Sequence, residues 1–233
     1  MRARQRHLNP KAAGAAIVLD SRYITGLSDG NDVTSWSDRS GNSNNATAAS
    51  NYPTYETGEQ GGNPVVRFVS ANSDRLNCST APYTGGTQRV LIVAYKETSS
   101  GSYTASVAGT DGSFTNYTWF KMQSRTNAPA GDPFINCFNV STGNATSDNL
   151  WKIGSGAYDG SNIMARKNGS EVQSSAATLN TNNTQFRLGG ASYAGEFMNG
   201  DIGYVIAAPI TYSLPLVKRL EQHVGFSFKL PCA

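Results

Sequence analysis

Acidic side chains stand in two early turn-like segments of the 233-residue chain, where they could bind a metal ion. Asp29 and Asp32 lie in SDGND, and Asp38 lies in SWSDRSGNSNNAT. Carboxylate oxygens in turns are ligands that calcium takes in proteins, so Asp29, Asp32 and Asp38 are candidate metal ligands. The pattern D-x-[DN]-x-[DN]-G is not matched, because Val33 and a threonine follow Asp32. Turns closed by side-chain to backbone hydrogen bonds are therefore favoured, and calcium is the one cofactor left open.

Six tyrosines lie in polar, turn-rich segments beside many Asn and Asp residues. A tyrosine ring can stack on a sugar ring while nearby amides and carboxylates bind its hydroxyl groups. Such tyrosines also occur on the surface of any polar β-protein, so the composition alone leaves both interpretations open. The candidate carbohydrate-binding residues are Tyr52, Tyr55, Tyr103, Tyr117, Tyr158 and Tyr193.

The residues of known catalytic constellations are not spaced for catalysis. The two histidines are His7 and His223, and no G-x-S-x-G motif occurs, so a nucleophilic triad is not indicated. A glycosidase needs two acids across a cleft, and the glutamates form no E-x-D-x-E array. We therefore predict no catalytic residues and expect that the chain is not an enzyme.

Charge is concentrated at the N-terminus. The net charge is +3, and Arg2, Arg4, Arg6 and Lys11 supply more than all of it, so the rest of the chain is close to neutral. A neutral body argues against a nucleic-acid surface, which needs clustered Lys and Arg. We predict a flexible basic arm at residues 1–14, able to dock on a partner, and one domain at residues 15–233.

The apolar stretches and the cysteines give further expectations. No apolar segment approaches the roughly 20 residues of a membrane-spanning helix, so no membrane anchor is expected. The opening residues lack the apolar stretch of a signal peptide, so the chain as given is expected to be unexported. Cys78, Cys137 and Cys232 form no CxxC or Cys/His pattern and are predicted to be free thiols, although one pair could bridge in an oxidising compartment.

Short apolar or alternating segments separated by Gly- and Asn-containing turns predict strands. The continuous runs VLIVAYK and IGYVIAAP are typical of strands at the centre of two packed sheets. YTWFKMQ and NIMARKN alternate, which predicts one wetter face. The predicted strands cover residues 15–20, 64–69, 88–96, 102–109, 117–123, 133–140, 150–160, 162–169, 184–190 and 201–209.

A single segment, YSLPLVKRLEQHV, has a helical pattern. Ser213 is placed to cap it, a proline stands in the first turn, and Leu216, Leu220 and Val224 recur on one face. The sequence therefore predicts an all-β sandwich with a short C-terminal helix.

The chain contains five blocks whose order and spacing resemble those of laminin-G-like domains of the concanavalin A-like lectin/glucanase superfamily. They are VLDSRYITGLSDGNDVTSWSDRSGNSNNAT, PVVRFVSANSDRLN, AYDGSNIMARKNGSEV, FRLGGASYAGEFMNGDIGYVIA and LPLVKRLEQHVGFSFKL. The resemblance covers residues 15–230 and implies a jelly-roll-like, concanavalin A-like β-sandwich. The catalytic acids of the glucanase members have no counterpart here.

The basic arm and the F-S-F-K-L-P-C tail also resemble structural proteins of tailed bacteriophages. This resemblance implies a non-enzymatic virion protein, a head-decoration or tail-associated adhesion protein assembled in the host cytoplasm. Its expected partners are other virion proteins, through the arm, and host surface glycans, with a homo-oligomer left open. The alternatives are an extracellular carbohydrate-binding module of a bacterial surface protein and a glycoside hydrolase of the same superfamily.

Overall fold

The computed structural model describes residues 8–48, 50–100, 104–111, 119–125, 133–137, 141–142, 148–181, 185–191 and 196–233. These residues form strands, one α-helix and two short 3-10 helices, Ser21–Tyr23 and Ser70–Asn72. The first strands are β1 (Ile17–Asp20), β2 (Asn31–Asp32), β3 (Ser35–Trp36), β4 (Ala46–Thr47), β5 (Thr54–Gln60), β6 (Asn63–Phe68), β7 (Leu76–Cys78), β8 (Arg89–Ser100) and β9 (Thr104–Asp111). They are followed by β10 (Phe120–Arg125), β11 (Phe134–Asn136), β12 (Ser141–Thr142), β13 (Lys152–Tyr158), β14 (Asn162–Lys167), β15 (Ser170–Ala176), β16 (Gln185–Leu188), β17 (Met198–Ala208) and the helix α1 (Leu214–Phe228).

The strands form two antiparallel sheets that pack face to face, which confirms the predicted β-sandwich. Sheet A has the order β15-β14-β13-β8-β17-β6-β5-β2, with β1 pairing with β17, and sheet B has the order β12-β11-β10-β9-β16-β7-β4-β3. The core between them includes Trp36, Phe68, Phe120, Phe186 and Val205. Burial of this apolar surface is the main stabilising contribution to the sandwich.

Helix α1 covers the outer face of sheet A. Leu220, Val224 and Phe228 of the helix pack with Ile92 and Ile206 in a second apolar cluster. Strands β8 and β17 therefore lie between two cores, one on each face, which explains their continuous apolar runs. The prediction that these runs form central strands is confirmed.

The helix lies where the sequence predicts it. Ser213 occupies the N-cap position without a side-chain capping hydrogen bond, and a proline stands in the first turn. Leu220 and Val224 are buried, whereas Leu216 is half-buried and Val217 takes the core position beside it. The helix ends at Lys229, which has a left-handed conformation with φ 53°.

The prediction of a wetter face on YTWFKMQ and NIMARKN is wrong. Lys121 and Gln123 of β10 are buried, as is Arg166 of β14. Each buried cation is neutralised: Lys121 Nζ lies 2.5 Å from Glu196 Oε2, and Arg166 Nε lies 2.8 Å from Glu221 Oε1. Alternation therefore did not predict exposure, because pairing with an acid allows a charge to be buried.

Three further expectations concern single features of the fold. Cys78, Cys137 and Cys232 are free thiols, as predicted. No helix within the described residues is both long enough and apolar enough to span a membrane. Of the predicted arm, residues 8–14 are described, and they form a turn in which Pro10 is buried and Leu8 packs against the second cluster. Arg2, Arg4 and Arg6 lie outside the described residues.

Candidate functional site

A pocket of about 410 Å³ opens where the N-terminal turn, the end of β1 and helix α1 meet. Its walls include residues 8–11, Arg39, and Tyr204 with His223. Tyr23, which is 52% exposed, forms one side. We refer to it as the Tyr23 pocket. Its volume lies within the range of about 300–1,000 Å³ that is usual for small-molecule sites.

Tyr23 is presented by the short 3-10 helix that follows β1. Asp20 caps this helix by accepting a hydrogen bond from the backbone N–H of Arg22 at 3.1 Å. The Ser21 hydroxyl donates to the carbonyl of Pro64 at 2.6 Å, which ties the turn to β6. Tyr23 is thus an exposed aromatic residue on a fixed backbone.

The segment SWSDRSGNSNNAT places Arg39 against Tyr23. The backbone N–H of Arg39 donates to the carbonyl of Val18 at 2.8 Å, and the Ser40 hydroxyl donates to the carbonyl of Ala16 at 2.9 Å. The segment therefore runs beside β1. The guanidinium carbon of Arg39 lies 3.6 Å from the centroid of the Tyr23 ring, a close cation–π contact.

The carboxylate of Asp38 organises this segment from within. It accepts hydrogen bonds from the backbone N–H groups of Val18 and Ser40 at 2.9 Å, from the Ser40 hydroxyl at 2.7 Å and from the backbone N–H of Asn44 at 3.0 Å. Trp36 is buried in the core before it, and Gly41 takes φ 94° after it. This agrees with the predicted structural turn.

Arg22 joins the pocket to helix α1. Its Nε and one terminal nitrogen donate to the two carboxylate oxygens of Asp20, at 2.9 and 2.7 Å. The other terminal nitrogen donates to the carbonyl of Ser227 at 3.3 Å, and the guanidinium carbon lies 5.5 Å from the Phe228 ring centroid. The hydrogen bonds to Asp20 raise the pKa of Arg22. The charges of Arg22 and Asp20 therefore cancel each other.

Tyr204 and His223 contribute a polar pair to the pocket. The Tyr204 hydroxyl and His223 Nε2 are 3.1 Å apart, and the rings meet edge to face with centroids 5.7 Å apart. Burial raises the pKa of Tyr204, so its phenol stays protonated at neutral pH. The Tyr23 pocket thus combines an aromatic side chain with several hydrogen-bonding groups, which suits a polar ring-shaped ligand.

The tyrosines predicted from the sequence lie elsewhere. Tyr55 and Tyr158 belong to the core between the sheets, so their proposed stacking role is wrong. The Tyr158 hydroxyl donates to the carbonyl of Gly160 at 2.9 Å, which explains how a polar group is accommodated there. Tyr52 is exposed but does not line the Tyr23 pocket. Tyr103, Tyr117 and Tyr193 lie outside the described residues.

The predicted metal ligands do not come together. Asp38 uses its oxygens within its own turn, and Asp29 accepts hydrogen bonds from the Thr57 backbone N–H at 2.7 Å and hydroxyl at 2.8 Å. These hydrogen bonds lower the pKa of Asp29. Asp32 is exposed on β2. No group of three or more His, Cys, Asp or Glu side chains suited to a metal ion occurs in the described part of the chain.

Sequence reasoning missed most of the pocket. Lys11, assigned to the arm, lines the pocket, and His223, for which no role was predicted, lines it from α1. Tyr23 and Arg39 were not singled out. Their separation of 16 positions carries no periodic signal, and the contact exists because two segments hydrogen-bond to each other. The one available signal was that Tyr23 and Arg39 lie in the same one of the five sequence blocks that resemble laminin-G-like domains.

Solved structures share this β-sandwich at low sequence identity. A GH54 arabinofuranosidase matches with a TM-score of 0.68 and 10% identity, covering 95% of this chain and 66% of that one. A Trypanosoma rangeli sialidase matches with a TM-score of 0.64 and 11% identity, covering 92% and 34%. Domain 4 of a GH43 extracellular arabinanase from Geobacillus stearothermophilus, in complex with arabinotriose, matches with a TM-score of 0.61 and 13% identity, covering 90% and 99%.

No protein-family model matches the chain, and no curated protein sequence matches it. Among the solved structures, the chain spans about a third of the sialidase and about two thirds of the arabinofuranosidase, but nearly all of the arabinanase domain. At these identities the likeness establishes the fold alone.

The comparisons correct the expectation that the chain is not an enzyme. The sialidase and the arabinofuranosidase are glycoside hydrolases, and both contain this fold. The missing E-x-D-x-E array was therefore not a sound basis for excluding catalysis. The structural neighbours are β-sandwich proteins that include glycoside hydrolases and a domain solved with a bound oligosaccharide.

Proposed function

We propose that this chain is a carbohydrate-binding β-sandwich domain and that the Tyr23 pocket is its saccharide site. The observation that carries the proposal is the exposed Tyr23 ring held by Arg39 at 3.6 Å beside the pocket of about 410 Å³. Because Arg39 already holds the Tyr23 ring in place, the ring can pack on the apolar face of a sugar without losing further side-chain freedom on binding. Arg39, Asn9 and His223 supply hydrogen-bonding groups around it.

Comparisons with three solved structures also support this proposal. The arabinanase domain, which this chain matches over nearly all of that domain's length, was solved with arabinotriose. The arabinofuranosidase and the sialidase act on glycans by name. A saccharide ligand is consistent with both facts.

A glycan array followed by calorimetry tests the proposal. We expect wild-type protein to bind at least one oligosaccharide with a micromolar to millimolar dissociation constant, and Tyr23→Ala to weaken that binding at least tenfold. Tyr52→Ala is the matched control, because Tyr52 is an exposed tyrosine that does not line the pocket. Sugar release is followed in the same mixtures, since glycoside hydrolases share the fold. The absence of binding to every glycan at millimolar concentration would contradict the proposal.

We make a separate proposal for the biological context in which the domain works. The resemblance to tailed-bacteriophage structural proteins supports a virion adhesion protein that uses the Tyr23 pocket on host surface glycans and docks through the basic N-terminal residues. We expect the protein to co-purify with intact phage particles and to be lost from them when residues 1–7 are deleted. A truncated protein that still decorates particles would exclude docking through these residues.

A further inference from the structure

We propose that the Tyr23 pocket selects saccharides that carry a carboxylate, with Arg39 as the residue that determines this preference. The inference rests on the proposed function and adds the class of ligand. It follows from the distribution of charge in the pocket, from the orientation of the nearest acid and from the contact between Arg39 and Tyr23.

The pocket carries unneutralised positive charge. Lys11, Arg22 and Arg39 are its Lys and Arg residues, and Asp20 is its acid. Asp20 is committed to Arg22 through two hydrogen bonds. Within the described residues, no carboxylate lies within 4.0 Å of the side-chain nitrogens of Lys11 or Arg39. Lys11 and Arg39 therefore line the pocket without an acidic partner within this distance.

The acid next to Arg39 in sequence does not neutralise it. Asp38 accepts its four hydrogen bonds from Val18, Ser40 and Asn44, which fixes its carboxylate inside the turn. Adjacent residues of the segment thus point their charges in different directions. The fold separates the carboxylate, which has a structural role, from the guanidinium, which is presented to the pocket.

The contact with Tyr23 holds the Arg39 guanidinium in a position from which it can bind a planar anion. The guanidinium carbon lies 3.6 Å from the centroid of the ring, so the ring attracts the cation through its face and uses none of the N–H donors. Those donors can form the two parallel hydrogen bonds that a guanidinium makes with a carboxylate. A sugar acid would place its carboxylate on Arg39 and its ring in the pocket beside Tyr23, with Lys11 adding attraction.

Matched ligands that differ in one charge test the inference. The probes are tetragalacturonate against its methyl ester and 3′-sialyllactose against lactose, measured by calorimetry with the complete protein. We expect at least one acid to bind about tenfold more tightly than its neutral partner at low salt. The difference should shrink at 0.5 M NaCl, because salt screens the interaction of exposed charges.

Variants separate this inference from the proposed function. Arg39→Gln should bring the affinities for the acid and for its neutral partner to the same value, whereas Tyr23→Ala should weaken both and keep their ratio. Thermal denaturation checks that each variant is folded, which is expected because both side chains are exposed. Equal affinity for acid and neutral ligands, or a preference unchanged by Arg39→Gln, would overturn the inference and leave the proposed function intact. Failure of all four probes to bind, in a protein that binds another glycan of the array, would overturn the inference alone.

Discussion

Glu221 on helix α1 and Arg166 on β14 form a fully buried ion pair. Arg166 donates from Nε to Glu221 Oε1 at 2.8 Å and from a terminal nitrogen to Oε2 at 3.1 Å, and neither side chain is more than 2% exposed. The same terminal nitrogen of Arg166 also donates to the carbonyl of Gly169. The pair links the helix to sheet A beside the apolar cluster of Val224 and Ile206.

Replacing Glu221 with alanine should destabilise the protein strongly. The variant leaves the Arg166 charge buried and unpaired, and breaking such pairs costs about 3–5 kcal/mol. Urea denaturation measures the change in the free energy of unfolding. The control is Glu59→Ala, which removes a half-buried partner of Arg67 and should cost less than about 1 kcal/mol. Equal losses in the two variants would show that burial does not govern the contribution of these pairs.

Replacing Asp38 with alanine should loosen the segment that carries Arg39. The change removes the acceptor of three backbone N–H groups and one hydroxyl, and the loss of charge-assisted hydrogen bonds of this kind costs about 2–3 kcal/mol. Saccharide binding should weaken in parallel, because Arg39 loses its fixed position over Tyr23. Asp32→Ala is the control, since Asp32 is an exposed acid on β2, and its denaturation midpoint should match wild type. A stable Asp38→Ala protein would contradict the structural role of this carboxylate.

The three thiols should differ in reactivity in the native protein. Burial raises the pKa of Cys78 to about 12 and that of Cys232 to about 11, and it also raises the pKa of Cys137. Thiolate is the reactive form, so all three are suppressed at pH 8. We expect Ellman's reagent to label the half-buried Cys232 slowly and to reach three thiols per chain only in guanidinium. Cys232→Ser should abolish the native reaction, and fewer than three thiols after unfolding would indicate a disulfide.

The strands that could be predicted from sequence are those with apolar side chains. VLIVAYK and IGYVIAAP predict β8 and β17 because both faces of these strands are buried. Strand β15 was missed since nearly all of its residues are exposed, and its backbone pairs with β14 at the edge of sheet A. The two-residue strands β2, β3 and β4 are too short for any period to be visible. Strands at the edge of a sheet pair through their backbone, and this pairing leaves little trace in the pattern of apolar and polar side chains.

The site was less predictable than the fold, for a physical reason. The tyrosine candidates were chosen by residue type, but the exposure of a tyrosine depends on which face of its strand meets the other sheet. Tyr55 faces the core, whereas Tyr23 stands outside it on a 3-10 turn. Arg39 reaches Tyr23 through hydrogen bonds between distant segments, which no local pattern encodes.

Two glycines with the same backbone conformation should respond differently to alanine. Gly189 has φ 73° and Gly58 has φ 72°, so a side chain costs both positions about 1–2 kcal/mol of left-handed strain. A Cβ atom at Gly189 would lie 1.9 Å from Cδ1 of the Phe68 ring, whereas no described heavy atom lies within 4 Å of one at Gly58. Phe68 is buried between the sheets, and the backbone of Gly189 is fixed by hydrogen bonds with Val107 and Met198. Neither side of the contact can move freely.

Gly189→Ala should therefore lose about 1–3 kcal/mol more than Gly58→Ala, the range observed for overpacked cores. Because the left-handed strain is common to both variants, the difference between their free energies of unfolding isolates the clash with Phe68. A second measurement adds Phe68→Leu to each variant. The smaller side chain should recover part of the loss in Gly189→Ala and none of the loss in Gly58→Ala. If the two glycine variants unfold at the same denaturant concentration, the close approach of Gly189 to Phe68 does not limit the packing of the sheets.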